Sequence, residues 1–223
     1  MLEVLDGGLL TTVQDAGRMG WGHCGVPPSG PMDPLALRAA NLLVGNDPCA
    51  AGLEVTLVGP TLRALQPCLL AVCGAEFQLW AGDVSVRCWH AFFLRPGHLL
   101  HFGDRLRGAR AYLAVAGGIS VPPFLGSRAT YIPGRFGGLQ GRALRPGDRL
   151  PVGPSVVNPL DRAGRGWPQR ARPHYTVRPT LRVILGPQDD LFTAEGVATL
   201  LGAEYEVTSD YDRIGCRLAG SAI

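Results

Sequence analysis

The property that most limits how this chain can fold is its density of chain-reversing residues, with 31 glycines and 19 prolines among 223 positions. Both types break up regular structure, because glycine gives up more backbone freedom on ordering and proline lacks a donor N–H. They follow no fixed period, which excludes collagen and solenoid arrays. With 46% hydrophobic residues the chain can bury a real core, as one large domain or two smaller ones. A turn-rich, mainly β fold with few short helices is the expectation.

The order of residue types along the chain supports that class. Residues 1–32 read as a strand at Glu3 to Leu5, a Gly-Gly turn, a second strand through Val13, and a Gly/Pro-dense loop. Asp33-Pro34 opens the best helix, with a capping carboxylate, Pro at the first helical position, Leu35, Ala39 and Leu42 or Leu43 on one stripe, and Gly45 as the stop. From Gly52 to Leu150 the pattern is strand and turn. Phe77 and Leu79 pair across Ala81-Gly82-Asp83 with Val84, Val86 and Cys88, and the apolar runs Leu69 to Cys73 and Ala111 to Ala116 are expected to be central. So many short strands imply a closed sandwich or barrel. The expected domains are a first β lobe over 1–153, a linker over 154–179 and a second lobe over 180–223, with a strand at Leu181 to Leu185, a helix at Thr193 to Leu201 and a further strand at Tyr205 to Val207. About forty residues cannot build a core of their own, so the second lobe is expected to be incomplete.

The 21 basic residues are all arginine, against 18 acidic ones. The lack of lysine excludes a Walker-type phosphate loop, a Schiff-base lysine and a biotin attachment site on this chain. An anion held here must meet arginine forks, backbone N–H groups or a helix N-terminus. The arginines are scattered, so nucleic acid is not an expected partner. Cys24, Cys49, Cys68, Cys73, Cys88 and Cys216 contain no C-x-x-C pair and read as reduced, buried thiols. No secretory signal or membrane-length apolar run occurs, and a cytoplasmic protein is expected.

Several motifs reduce to ordinary structure. Gly20-Trp21-Gly22-His23-Cys24-Gly25 has dinucleotide-binding spacing, but it runs into Val26-Pro27-Pro28 rather than a helix. Cys88, His90, His98 and His101 offer ligand types whose spacing on strands does not converge, so no metal site is expected. His23 and Cys24 are adjacent, which turns their side chains apart. The densest chemistry lies in Thr11 to Arg18 and Gly25 to Asp33. There Gln14 and Arg18 can donate toward an oxyanion or carboxylate, with Asp15 as base or orienting partner. An Asp15–Arg18 ion pair that only pins the loop is equally open to this pattern.

The strings Thr12-Val13-Gln14-Asp15-Ala16-Gly17-Arg18, Gly25-Val26-Pro27-Pro28-Ser29-Gly30-Pro31-Met32-Asp33 and Ala39-Ala40-Asn41-Leu42-Leu43-Val44-Gly45-Asn46 resemble the opening signature of one family. It is the family of the 5-oxoprolinase C-type subunits and the biotin-dependent carboxyltransferases, which includes allophanate hydrolase subunit 2. Leu53-Glu54, Tyr112 to Gly118, Leu125 to Thr130, Phe136-Gly137-Gly138 and Gly186-Pro187-Gln188 extend the likeness along nearly the whole chain. The resemblance implies cyclophilin-like β-barrel lobes and a component of an ATP-dependent enzyme that opens 5-oxoproline to glutamate. It also implies two alternatives, the carboxyltransferase part of a biotin-dependent urea carboxylase and a non-enzymatic regulator that antagonises a kinase inhibitor. It points to Gln14, Asp15 and Arg18 as catalytic residues, and to Ser29, Met32, Asp33, Asn41, Ser127, Arg128 and Thr130 as substrate-binding. The implied partners are a B-type subunit of related cyclophilin-like fold and an A-type subunit of amidohydrolase character, with a homodimer also open. ATP would act at the level of the complex, and biotin only in the carboxyltransferase case. The family's second lobe extends beyond a motif like Ser209 to Leu218, so a truncated lobe is the expectation.

Overall fold

In the computed structural model, which describes residues 1–223 other than Val177 and Ile214, the chain forms two compact units, Met1–Val177 and Arg178–Ile223. The fold is mainly β. The first unit contains strands β1 (Leu2–Asp6), β2 (Leu10–Gln14), β3 (Gly52–Thr56), β4 (Thr61–Ala64), β5 (Cys68–Ala81), β6 (Val84–Val86), β7 (Ala91–Leu94), β8 (Leu99–Val115) and β9 (Arg149–Leu150). Helix α1 (Pro34–Val44) and the single turn α2 (Pro159–Arg162) accompany them.

The strands make one antiparallel sheet in the order β2-β3-β8-β4-β1-β9, with β5 pairing β8, β7 and β6. β8 is long enough to pair β4 through Leu99 to His101 and β3 through Arg110 to Leu113, while β5 runs along its other edge. Register shifts between Gly74 and Leu79 bend this ladder and curl the sheet into a half-barrel. Alternation along β5 and β8 then divides the core. Leu70, Val72, Ala111, Leu113 and Val115 point into the barrel, and Leu69, Ala71, Cys73, Tyr112 and Ala114 point toward α1.

Helix α1 begins and ends as its sequence dictates. Asp33 Oδ1 accepts from the Ala36 N–H at 3.0 Å, Pro34 occupies the first turn, and Gly45 closes the helix in a left-handed conformation at φ +82°. Of the expected stripe, Ala39 and Leu43 are buried and Leu35 and Leu42 are exposed, and Ala36, Leu37, Ala40 and Val44 are buried beside them. Small residues win this face because Ala36 and Ala40 let the helix backbone approach a sheet surface of Ala71, Cys73 and Ala114. The thiols also differ from expectation. All six are free, but only Cys68 and Cys73 are buried, and Cys24, Cys49 and Cys216 are exposed. Burial holds the Cys88 thiol up at about 11, so it stays protonated at neutral pH.

The stretch expected to link two lobes is strapped onto the first unit instead. The Gly164 N–H donates to Ala91 O, Ala91 N–H to Arg165 O and Trp167 N–H to Trp89 O, which covers the open edge of β7. Arg162 Nη1 donates to Leu42 O at one end of α1, and the Tyr175 hydroxyl donates to Asp33 Oδ2 at the other. In the second unit, α3 (Ala194–Gly202) is capped by Thr193 Oγ1, which accepts from the Gly196 N–H. Strands β10 (Tyr205–Tyr211) and β11 (Cys216–Gly220) pair antiparallel. The expected strand at Leu181 to Leu185 is irregular and exposed. Its β-branched residues suit a strand, but a strand needs a ladder and none of the described strands pairs with it.

Trypsin should therefore cut first at Arg182, before Arg162, Arg165 or Arg170, since the last three lie in the strap and Arg178 is shielded by Pro179. Mass spectrometry of the first fragment reads the outcome, and early cleavage at Arg165 would show that the strap does not hold β7.

Candidate functional site

Three loops of the first unit meet at the end of β2: residues 15–18, residues 26–33 and residues 124–138. The edge of β2 is stitched to the third loop by the Thr130 N–H and Thr130 Oγ1, which both donate to Val13 O at 2.9 Å. The Arg18 N–H donates to Pro28 O and ties the first loop to the second. Ser29, Leu125, Arg135 and Gln140 hold positive φ between +50° and +58°, conformations that non-glycine residues adopt only when their surroundings dictate them.

The side chains expected to be catalytic sit within this junction, buried and engaged. Gln14 is fully buried; its Nε2 donates to Thr12 Oγ1 at 3.0 Å and Thr130 O at 3.3 Å, and its Oε1 accepts from the Gly30 N–H at 3.2 Å. Asp15 Oδ1 accepts from the Gly17 N–H and the Ser127 hydroxyl, and Oδ2 from the Arg128 N–H. Arg18 is 2% exposed, with Nη1 donating to Ser29 Oγ at 3.0 Å, Nη2 to Ala129 O and Nε to Phe124 O at 3.5 Å. Its guanidinium lies 5.0 Å from the Phe136 ring centre, and Phe136 in turn stacks on Phe124. Burial pushes the Arg18 pKa down, and the nearby Asp15 carboxylate opposes that shift. Asp15 and Arg18 thus both hold the loop of residues 124–138, through different partners, and Arg18 also reaches Ser29; none of these bonds joins the two side chains directly. Gly137 is required beside them: a Cβ there would stand 2.1 Å from Ala129 O and 2.7 Å from Arg18 Nη2.

Ser29, Ser127, Arg128 and Thr130 join this junction. Ser127 and Thr130 are buried, whereas Ser29 and Arg128 are half-buried at its rim, where Arg128 Nε donates to Val121 O. Of the other three expected residues, Asn41 lies elsewhere, and Met32 and Asp33 sit at the far end of the 26–33 loop with their backbone bonded to other partners. Asn41 is fully buried in α1, where it donates to Ala50 O and accepts from Asn46 Nδ2. Met32 is exposed, and its N–H donates to Glu54 Oε2. Asp33 caps α1 and donates its N–H to Tyr112 Oη. Glu54 and Tyr112, both almost inaccessible to solvent, were not singled out from sequence. The available signal was one carboxylate in the otherwise apolar Leu53-Glu54-Val55 of a central strand. Buried surroundings raise the Tyr112 pKa well above the ordinary tyrosine range, so it remains a hydroxyl donor to Glu54.

The residues with metal-ligand chemistry are occupied separately. Residues 87–90 form a turn at Trp89, φ +63°, where His90 Nδ1 contacts Cys88 O, while His101 Nδ1 faces Thr61 Oγ1 on β4. The Gly20 to Gly25 string forms a single 3-10 turn at Gly22–Cys24, without the helix a dinucleotide would need.

Residues 24–223 match the family described as carboxyltransferase domain, subdomain A and B. The chain is 35% identical over its full length to the C-type subunit of 5-oxoprolinase from Escherichia coli (strain K12) and spans 70% of that protein. It is also 35% identical to a urea amidolyase of Lachancea kluyveri, but spans only 12% of it. Among solved structures, the urea amidolyase of K. lactis superposes with a TM-score of 0.87 at 35% identity, covering 99% of this chain and 14% of that one.

Replacing Arg18 by Lys should destabilise the first unit by about 2–4 kcal/mol, because one ammonium cannot reach Ser29, Ala129 and Phe124 together and buried acceptors are left unpaired. Denaturant unfolding measures this; an unchanged midpoint would show that the fork does not hold the loops.

Proposed function

The chain belongs to the carboxyltransferase-domain family, subdomains A and B, and on that premise we propose that it is one component of an ATP-dependent 5-oxoprolinase that opens the cyclic amide to glutamate. The observation that carries this reading is coverage: the match runs through 100% of this chain and 70% of the C-type 5-oxoprolinase subunit in each of two bacteria. Lactam hydrolysis adds water across a stable C–N bond, and ATP cleavage to ADP and phosphate drives it. A lysine-free chain has no Walker-type loop for that nucleotide. ATP therefore acts at the level of a complex with an A-type companion of amidohydrolase character and a B-type companion of related fold.

Within this reading, Gln14, Asp15 and Arg18 act as positioning groups. Their polar atoms are committed to Ser29, Gly30, Ser127, Arg128, Ala129 and Thr130. The groups offered to a small amide are then Ser29 and Arg128 at the rim, the second able to meet a substrate carboxylate as a guanidinium fork. The second reading, a carboxyltransferase acting on urea with biotin carried by another chain, is favoured by the family description and by the urea amidolyase superposition. No described helix is long and apolar enough to cross a membrane.

The test reconstitutes the chain with its companions and follows ADP release with 5-oxoproline or urea. ADP release that needs both this chain and 5-oxoproline is the expected result. Dependence on urea would favour the carboxyltransferase, and binding to companions without a response to either compound would indicate a regulator.

A further inference from the structure

We propose that Glu54 is a positioning residue that sets the Gly30–Asp33 segment and, through it, the rim of the candidate site. Glu54 is 2% exposed on a central strand, and a buried carboxylate is retained only where its bonds are well made. Its Oε2 accepts from the Met32 N–H at 3.0 Å and the Tyr112 hydroxyl at 2.7 Å, and Arg110 Nε stands 3.6 Å from its Oε1. Tyr112 Oη accepts from the Asp33 N–H at 2.8 Å, so strands β3 and β8 hold two consecutive amides of the loop. Two residues earlier, the Gly30 N–H is held by Gln14 Oε1, and Ser29 Oγ accepts from Arg18. The backbone from Ser29 to Asp33 is thus pinned at both ends, by the β2 loop on one side and by the Glu54–Tyr112 pair on the other. Ser29, at φ +56°, keeps its conformation only while both pins hold. No other part of the proposed reaction uses Glu54, and a neutral acceptor of the same shape can accept from both the Met32 N–H and the Tyr112 hydroxyl without the charge.

This inference rests on the chain being part of an amide-opening enzyme, and its test has a readout independent of turnover. Amide hydrogen exchange at Met32 and Asp33 should be slow in the native chain. Tyr112→Phe, which removes the acceptor of the Asp33 N–H, and Glu54→Ala should both speed it. In the reconstituted complex, Glu54→Ala should lower kcat/KM for 5-oxoproline by about tenfold or more, carried mainly by KM, since the loop is misplaced and not removed. Glu54→Gln should stay within about twofold of the native value, because its carbonyl oxygen still accepts from Met32 and Tyr112. Leu62→Ala, which opens the barrel core away from the loop, should lower the melting temperature and leave KM unchanged. Should Glu54→Ala fail to fold, Tyr112→Phe alone decides. Unchanged exchange, or faster exchange with native KM, overturns the proposal; native protein without turnover of 5-oxoproline overturns the functional reading, while the exchange result still judges the loop.

Discussion

The first unit depends on the antiparallel ladder between β5 and β8, paired from Leu70 with Val115 to Ala81 with Leu100. Through Leu69 to Cys73 and Ala111 to Val115, every second residue faces the barrel and the others face α1, so this part of the ladder supplies both apolar layers. Because these stretches are buried on both faces, they read as continuous hydrophobic runs and not as an alternation. The bulges along β5 then decide the shape, since a flat sheet could not bring β9 beside β1 and β2 beside β3 around one interior.

Around that frame, connections are held by polar groups deprived of water. Three such groups matter most: the Arg18 guanidinium over carbonyl oxygens, the Asp15 carboxylate under the Ser127 loop, and Glu54 beneath Met32. Each would be costly to bury alone and each is bonded by several partners, which is how a loop with little apolar content acquires one conformation. The consequence for chemistry is a division of labour. In the proposed reading, the deep groups give precision while Ser29 and Arg128 at the rim meet the small molecule.

Much of the fold was legible because its signals are local. Asp33-Pro34 and Gly45 bounded α1, Gly82 marked the hairpin between β5 and β6, and the apolar runs marked the central strands. What could not be read depended on distant partners. The stripe of α1 was legible at Ala39 and Leu43 and not at Leu35, because Ala36 and Ala40 become the contact face only against a small-residue sheet surface. Leu181 to Leu185 had strand composition without a strand beside it. The strap from Asn158 to Tyr175 looked like linker because its bonds to β7 and α1 are made by backbone atoms, Arg162 and Tyr175, in no periodic order. At the candidate site, the string Gln14 to Arg18 was visible as unusual chemistry, but its partners lie more than a hundred residues away. Proximity in sequence left an Asp15–Arg18 pair open, and tertiary structure gave each residue its own partners on the 124–138 loop.

That separation also orders events during synthesis. The loop from Asp15 to Arg18 is synthesised well before the Ser127 hydroxyl, the Ala129 carbonyl and the Phe136 ring that complete it, which follow more than a hundred residues later. Until then the guanidinium and carboxylate remain in water, where β1 to β5 can begin to pair without them. Loop closure over so long a span follows collapse of the ladder. The candidate site therefore matures after the ladder, and a nascent chain halted before residue 127 would carry its most conspicuous motif without the Ser127, Ala129 and Phe136 partners that complete it.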